Sequence, residues 1–233
     1  MTTDGLPPSR HPSVTAFDAT LSQTVDAHAT ALFPTRSLEL QRAAAEAFAQ
    51  LAERAREAKV DAVRDHDEDA ASRLLMGECC AEALCERLRL WIAFREGQMD
   101  AAWAHLVQAQ VAFEAAIRAH PAGAQFQKLA AEMHALEALV FPPQLFLSTG
   151  WVTRASECTV CGAAFGTCDH VQGRVYGGEF AGRHVTDAEP REVSVVKVPD
   201  DKMCRAFEMV DEGVRRNVLT WEPCETPNEA GAG

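Results

Sequence analysis

The sequence predicts an α+β protein, mainly α, in which an antiparallel helical bundle is followed by a small zinc-stabilised module containing β structure. Three observations lead there. Between residues 36 and 141 apolar side chains recur at steps of three and four, the period of a helix face. After Pro142-Pro143 the composition turns to glycine, threonine and β-branched residues. Within that second part, Cys158-x2-Cys161-x6-Cys168-x-His170 gathers three thiols and an imidazole into thirteen residues.

Composition sets the frame. The chain has 233 residues, 47% of them hydrophobic and only 7% aromatic, with abundant alanine, which favours closely packed helices over a β-sandwich. The formal charge of −12, with Lys and Arg scattered, removes the usual driving force for non-specific nucleic-acid binding. No apolar run approaches the length of a membrane span, so no membrane partner is expected. The Met-Thr-Thr-Asp-Gly start lacks the basic and apolar regions of a signal peptide. Eight cysteines without an export signal then predict a reducing compartment, the cytoplasm.

Residues 1–35 hold four prolines and few large apolar side chains, and read as a flexible arm that drapes, at most, through Leu32 and Phe33. Its His11 and His28 read as surface residues. From Ser37, Leu40, Ala44, Phe48, Leu51, Ala55 and Ala58 form one stripe of a long helix. The acidic run Asp65–Asp69 breaks that pattern and reads as a loop capping the next helix. This second helix spans about 70–95, turning Leu75, Cys79, Leu84, Leu88, Trp91 and Ile92 inward, with Cys80 and Cys85 as further small core fillers. Gly97 closes it and Asp100 caps a third helix carrying Trp103, Leu106, Val107, Gln110, Phe113 and Ile117. A fourth carries Phe126, Leu129, Ala130, Met133, Leu136 and Val140 and stops at Pro142-Pro143. The Gly97 turn, with Ala102 and Ala109 at matching offsets, resembles one hairpin of a tetratricopeptide repeat. No repetition at the roughly 34-residue period of that family follows, so a single α-hairpin is expected.

Leu145, Phe146 and Leu147 read as the packed junction into a module over 145–222. There Trp151–Arg154 and Glu192–Val198 are strands, Phe207–Leu219 is a helix or strand pair, and 223–233 is a flexible tail. Zinc accounts for the cluster between them. Structural zinc takes four tetrahedral ligands from cysteine sulfur and histidine nitrogen, and Cys158, Cys161, Cys168 and His170 supply that number. Gly162 suits the positive φ that a C-x2-C turn demands. A redox reading would want the C-x2-C pair opening a helix, and Gly162-Ala-Ala-Phe-Gly opens none. Cys204 and His184 are possible substitute ligands. Phe146 and the Val193–Val198 strand are expected to wall the metal site.

Other chemistry finds little support. No histidine has an arginine at the R-x4-6-H spacing of the HEPN ribonucleases, and HExxH is missing. Ser194 and Lys197 spell S-x-x-K, but an offset of three in a strand puts them on opposite faces. Catalytic and organic-cofactor residues are therefore expected to be none.

The block from Cys158 to Tyr176, C-x2-C-x6-C-x-H-x2-G-x2-Y, resembles a zinc motif of uncharacterised bacterial and phage-linked proteins. In these a segment like Phe141-Pro-Pro-Gln-Leu-Phe-Leu precedes the motif and a Glu-Val-Ser-x-Val strand follows it. That strand, Glu192-Val-Ser194-Val-Val with Pro199 beyond it, is also similar to the closing core strand of tailed-phage prohead peptidases. The peptidase His and Ser pair is missing from the matching context, and Asp200 stands where a small residue is usual. The resemblance covers the last third of the chain and implies a zinc-supported β module of bacterial or mobile-element origin without assigned chemistry.

The expected function is a non-enzymatic zinc-binding interaction or structural protein, with another protein as partner and zinc as a structural ion. One alternative is nucleic-acid binding through the module, using Arg154, Arg174, Arg183 and Arg191, although 151–222 holds nine Lys/Arg against twelve Asp/Glu. The other is a zinc hydrolase with Glu157 or Asp169 as base, for which four protein ligands leave no open position.

Overall fold

The computed structural model describes residues 11–32, 35 and 37–224. It consists of α1 (Pro12–Ala27), α2 (Ala29–Leu32), α3 (Leu38–Arg64), α4 (Glu68–Arg95), α5 (Met99–Ala119), a 3-10 turn (Pro121–Phe126) and α6 (Gln127–Val140). Six strands follow: β1 (Phe146–Cys158), β2 (Val175–Tyr176), β3 (Glu179–Phe180), β4 (Arg183–Val196), β5 (Glu208–Asp211) and β6 (Val214–Asn217). The strands pair antiparallel as β1-β4, β2-β3 and β5-β6, so the last third is three two-stranded sheets appended to a helical bundle.

The bundle forms around α4, which is flanked by α3 and α5. Leu74, Leu75, Leu84, Leu88 and Leu90 are all buried, so α4 has no single apolar face. Burial pushes the Cys79 and Cys80 thiols up to about 12 and Cys85 up to about 11, leaving three neutral core fillers. On α3 the inward stripe runs through Ala44, Phe48, Leu51 and Ala55 but begins at Gln41, not at Leu40, which is exposed. Buried Gln41 accepts a hydrogen bond from Arg95 at 3.1 Å, an interaction that a search for apolar periodicity passes over. Asp67 caps α4 by accepting from the Ala70 N–H at 2.9 Å.

The arm differs from expectation. Much of it is α1, whose Val14 and Phe17 are buried against the bundle. Phe17 lies where α4 has Gly77, and a Cβ there would stand 2.3 Å from the Phe17 ring. Asp18 meets the buried Arg73 at 3.0 Å. His11 is no surface residue: it is buried, caps α1 by accepting from the Ser13 N–H, and reaches Asp65 at 3.3 Å. His28 faces the Phe48 ring at 6.4 Å. Phe33 and the tail from residue 225 lie outside the described residues.

Two further expectations need correction. Asp100 does not cap α5; it lies in the first turn and pairs with Arg205, whose side chain is 1% exposed. Of Leu145, Phe146 and Leu147, only Phe146 is buried. Phe207–Leu219 resolves as a strand pair, β5 and β6.

The β1-β4 ribbon is held to one end of the bundle, and the β2-β3 hairpin in the connection at its tip is held to the other. At its base Phe146 stacks near Trp103 at 6.1 Å, and Trp103 is edge-on to Phe141 at 5.3 Å. Trp103 also donates its indole N–H to the Lys202 carbonyl at 3.1 Å, and the Lys202 ammonium binds Glu137 at 2.6 Å and Gln110 at 3.1 Å. At the other end, where α4 begins and α5 finishes, the Gly177 N–H reaches Glu68 at 2.8 Å and Arg118 covers the Phe180 ring at 5.2 Å. Trp103 to Arg118 is about 22 Å along α5 at 1.5 Å per residue, whereas β1 alone is about 40 Å long. The ribbon and the hairpin beyond its tip together form a strap over the bundle. Register shifts at Gly150/Trp151, Thr153/Ala155 and Ala155/Ser156 supply its bends.

Two substitutions test these attachments. Gly77→Ala is expected to lift α1 away, raising hydrogen exchange across 12–27 while α3 to α5 keep their protection. Asp100→Ala leaves the buried Arg205 guanidinium unpaired and is expected to cost about 3 kcal/mol in a denaturant titration.

Candidate metal centre

Cys158 ends β1 and Arg183, its cross-strand partner, begins β4, so the centre is built in the connection at the ribbon's far tip. The chain turns tightly after Cys158: the Gly162 N–H donates to the Cys158 carbonyl at 2.9 Å and the Cys158 N–H to the Ala163 carbonyl at 2.8 Å. Gly162 has φ +69° and Gly166 φ +87°, the left-handed conformations that glycine adopts without strain. Phe165 then pairs back through its N–H to Ser156 at 2.9 Å, which returns Cys168 and His170 toward the first two cysteines. One ligand atom from each of Cys158, Cys161, Cys168 and His170 lies within 4.8 Å of all the others. The structure thus brings together the four residues that the motif singles out.

The donor set fits a metal on two observations. The His170 Nδ1 is buried without a hydrogen-bond partner, an orphan that a coordinated cation would satisfy. Its ring is fixed edge-on to Tyr176 at 4.6 Å, and the Tyr176 hydroxyl accepts from the Val171 N–H at 3.0 Å, locking the imidazole's approach. The second observation is electrostatic. N–H groups of Cys161 and Val160 point at the Cys158 sulfur and pull its thiol down to about 7. Cys168 receives the His170 N–H, which acts in the same sense, but burial and the neighbouring Cys161 and Cys158 sulfurs outweigh it and push that thiol up. Three adjacent thiols ionise together only when a cation sits among them. Zinc would be held by Cys158, Cys161, Cys168 and His170, and with four protein ligands it would act as a cross-link.

The remaining candidates lie elsewhere. Cys204 is at the strap's base, where its carbonyl accepts from the Leu147 N–H at 2.7 Å. His184 is exposed opposite Glu157. Phe146 and Val196 face each other across the ribbon at its base, at the opposite end of β1 from Cys158, so they do not wall the metal site. The bundle histidines are each tied to a carboxylate: His105 to Glu86 at 2.6 Å, His120 to Asp69 at 3.2 Å and His134 to Glu114 at 3.3 Å. Ser194 lies within β4 and Lys197 beyond its end. Of the arginines expected to flank the centre, Arg154 and Arg191 lie along the ribbon and pair with Glu189, whereas Arg183 at the tip donates to Ser156 at 2.9 Å while covering the Phe165 ring.

Sequence reasoning missed the seat on which the metal loop rests. Gly178 fits against α3 and α4 so closely that a Cβ would fall 2.7 Å from Lys59 and 3.3 Å from the Ala71 carbonyl. Lys59 is itself held by the buried Glu78 at 2.8 Å. The Gly177-Gly178 doublet was the available signal, but a turn and a close approach look the same in sequence.

Comparison with protein-family models, with curated proteins and with solved structures finds no match. Among the described residues no helix is long and apolar enough to cross a membrane.

Purified protein is expected to carry one zinc per chain by elemental analysis. Because the Cys158 thiol is depressed, its thiolate is present at neutral pH and is lost as pH falls through about 7. Zinc affinity, read by competition with a chromophoric chelator, should fall as pH falls even above neutrality, where the raised Cys168 thiol must give up its proton, and more steeply below it, where Cys158 is protonated as well.

Proposed function

We propose that this chain is a non-catalytic zinc-binding interaction protein, in which a helical body carries a β strap, zinc pins the strap's far tip, and the strap's outward face meets a partner. One observation carries the reading. Phe146 is buried against the bundle, so strand alternation turns Ser148 and Gly150, opposite Ser194 and Glu192, toward the body. Leu147, Thr149 and Trp151, opposite Val195, Val193 and Pro190, turn away from it. Leu147 is 46% exposed, Trp151 58%, Val193 64% and Val195 67%. Over Leu147–Trp151 the pattern is inverted relative to a sheet that packs on its own core: polar inward, apolar outward. Such a face suits a partner.

Zinc's role in this reading is mechanical. A two-stranded ribbon is marginal alone, and a closed four-ligand ion contributes folding free energy where the ribbon has least support. Nucleic acid is not favoured as partner, since Arg154 and Arg191 lie along the ribbon paired with Glu189, and Arg183 beside the centre is engaged with Ser156. A cytoplasmic setting rests on the free state of all eight thiols, and a bacterial or phage-linked one on the motif resemblance.

Cys161→Ser, or a strong chelator, is expected to abolish exchange protection across 146–196 while the helical circular-dichroism signal stays nearly unchanged. Protein purified without zinc or a comparable ion, yet fully protected over those residues, would end the proposal.

A further inference from the structure

We infer that the outer edge of β1 takes up an extended strand of a partner protein, which joins the β1-β4 ribbon as a third strand through main-chain hydrogen bonds. This assignment rests on the interaction reading above and names the form of the partner. A strand edge offers a row of N–H and C=O groups whose full complement is another strand. On β1 that row is begun and left unfinished. Phe146 bridges antiparallel to Arg205: the Leu147 N–H donates to the Cys204 carbonyl at 2.7 Å, and the Leu145 carbonyl accepts from the Ala206 N–H at 2.8 Å. The odd-numbered residues at the start of β1 therefore turn their backbone groups away from β4. The shift at Gly150/Trp151 adds Arg191 to β4 and leaves the alternation of β1 intact, so Thr149, Trp151 and Thr153 present theirs along the same edge. Among the described residues the ribbon has two strands, and no backbone hydrogen bond ties these three residues to a segment outside it. The open row from Thr149 to Thr153 spans about 17 Å at roughly 3.4 Å per residue.

The two edges of the ribbon are not alike. Sheets guard exposed edges with proline, charge and bulges. β4 carries Pro190, which has no N–H to give, between Glu189 and Arg191, with Asp187 and Glu192 close by. β1 from Leu147 to Thr153 holds neither a charge nor a proline. The unguarded edge is thus the one whose backbone row stands open, and Trp151 and Val152 on it are exposed. A strand seated there sets alternate side chains beside Leu147, Thr149 and Trp151 on the outward face, so the partner segment is apolar at every second position. Glu192 lies on β4, one strand removed from the incoming segment, and does not oppose it. Main-chain bonds supply the affinity, and the outward apolar row supplies the preference.

The test is amide-resolved hydrogen exchange by NMR on the full zinc-loaded chain, with zinc analysis of every sample. The probe is the synthetic peptide acetyl-Lys-Thr-Val-Thr-Val-Thr-Val-Lys-amide. Its control is the same peptide N-methylated throughout, which keeps charges and side chains and removes every donor. In the free chain the Thr149, Trp151 and Thr153 amides should exchange roughly tenfold or more faster than those of Ser148 and Val152, which face β4. The probe should slow all three, and methylation should weaken its binding by roughly tenfold or more. Thr149→Pro removes one edge donor; Thr149→Lys guards the edge with a charge and keeps the measurement decisive if proline disturbs the ribbon. Either is expected to weaken the probe severalfold at unchanged zinc content. Edge amides already slow in the free chain, or unmoved by millimolar probe, overturn the assignment and leave the interaction reading of the outward face in place. An equal response to the methylated peptide means contact through side chains alone and overturns it as well. A doubled mass in sedimentation, with the same three amides slowed and no probe present, gives the edge to a second copy and overturns the assignment to a partner protein. Loss of zinc would be a failure of the metal reading, seen separately in the elemental analysis.

Discussion

The structure depends on how a long β ribbon is held to a helical body. The β1-β4 ribbon, about 40 Å in contour, is tied at its base beside Trp103, and the β2-β3 hairpin in the connection beyond its tip is tied beside Arg118. The ribbon bends at its three register shifts. Both of its faces are open along its middle, since Ser194 and Glu192 stay exposed even though they point toward the body.

What was legible in the sequence follows from periodicity and ligand chemistry. The helices from Ser37 to Val140 declare themselves because their buried positions recur every three or four residues. The metal cluster is legible because few other demands place three cysteines and a histidine at those spacings. The Glu192–Val196 strand is legible from its β-branched run. Helix α1 was hidden because its attachment relies on Val14 and Phe17 plus a hole at Gly77, and a hole leaves no apolar signal. Asp100 reads as a cap in one dimension; its real partner, Arg205, is more than a hundred residues away. Phe146 and Val196 were placed at the metal because both adjoin it in sequence, but a long antiparallel ribbon puts chain neighbours of its base far from its tip.

The balance of energies at the tip decides what kind of metal centre this is. The connection is hydrogen-bonded within itself and seats Gly178 on α3 and α4; its other contacts with the bundle include one N–H to the Glu68 carboxylate, the Arg118–Phe180 stacking, and partial burial of Val175 and Phe180. A hydrogen bond to a charged group contributes about 1.5–3 kcal/mol and an exposed cation–π contact about 0.5–1. Against this, fixing each backbone residue of the connection between Cys158 and Arg183 costs about 1–2 kcal/mol. Side-chain contacts of that size offset only part of that cost. Zinc bound by three thiolates and an imidazole contributes about 10–16 kcal/mol in small zinc-dependent folds, enough to change the outcome. An ion on which a loop's order depended would be poorly suited to giving up a ligand for substrate, which is why the proposed reading assigns the centre to the architecture and recognition to the ribbon face.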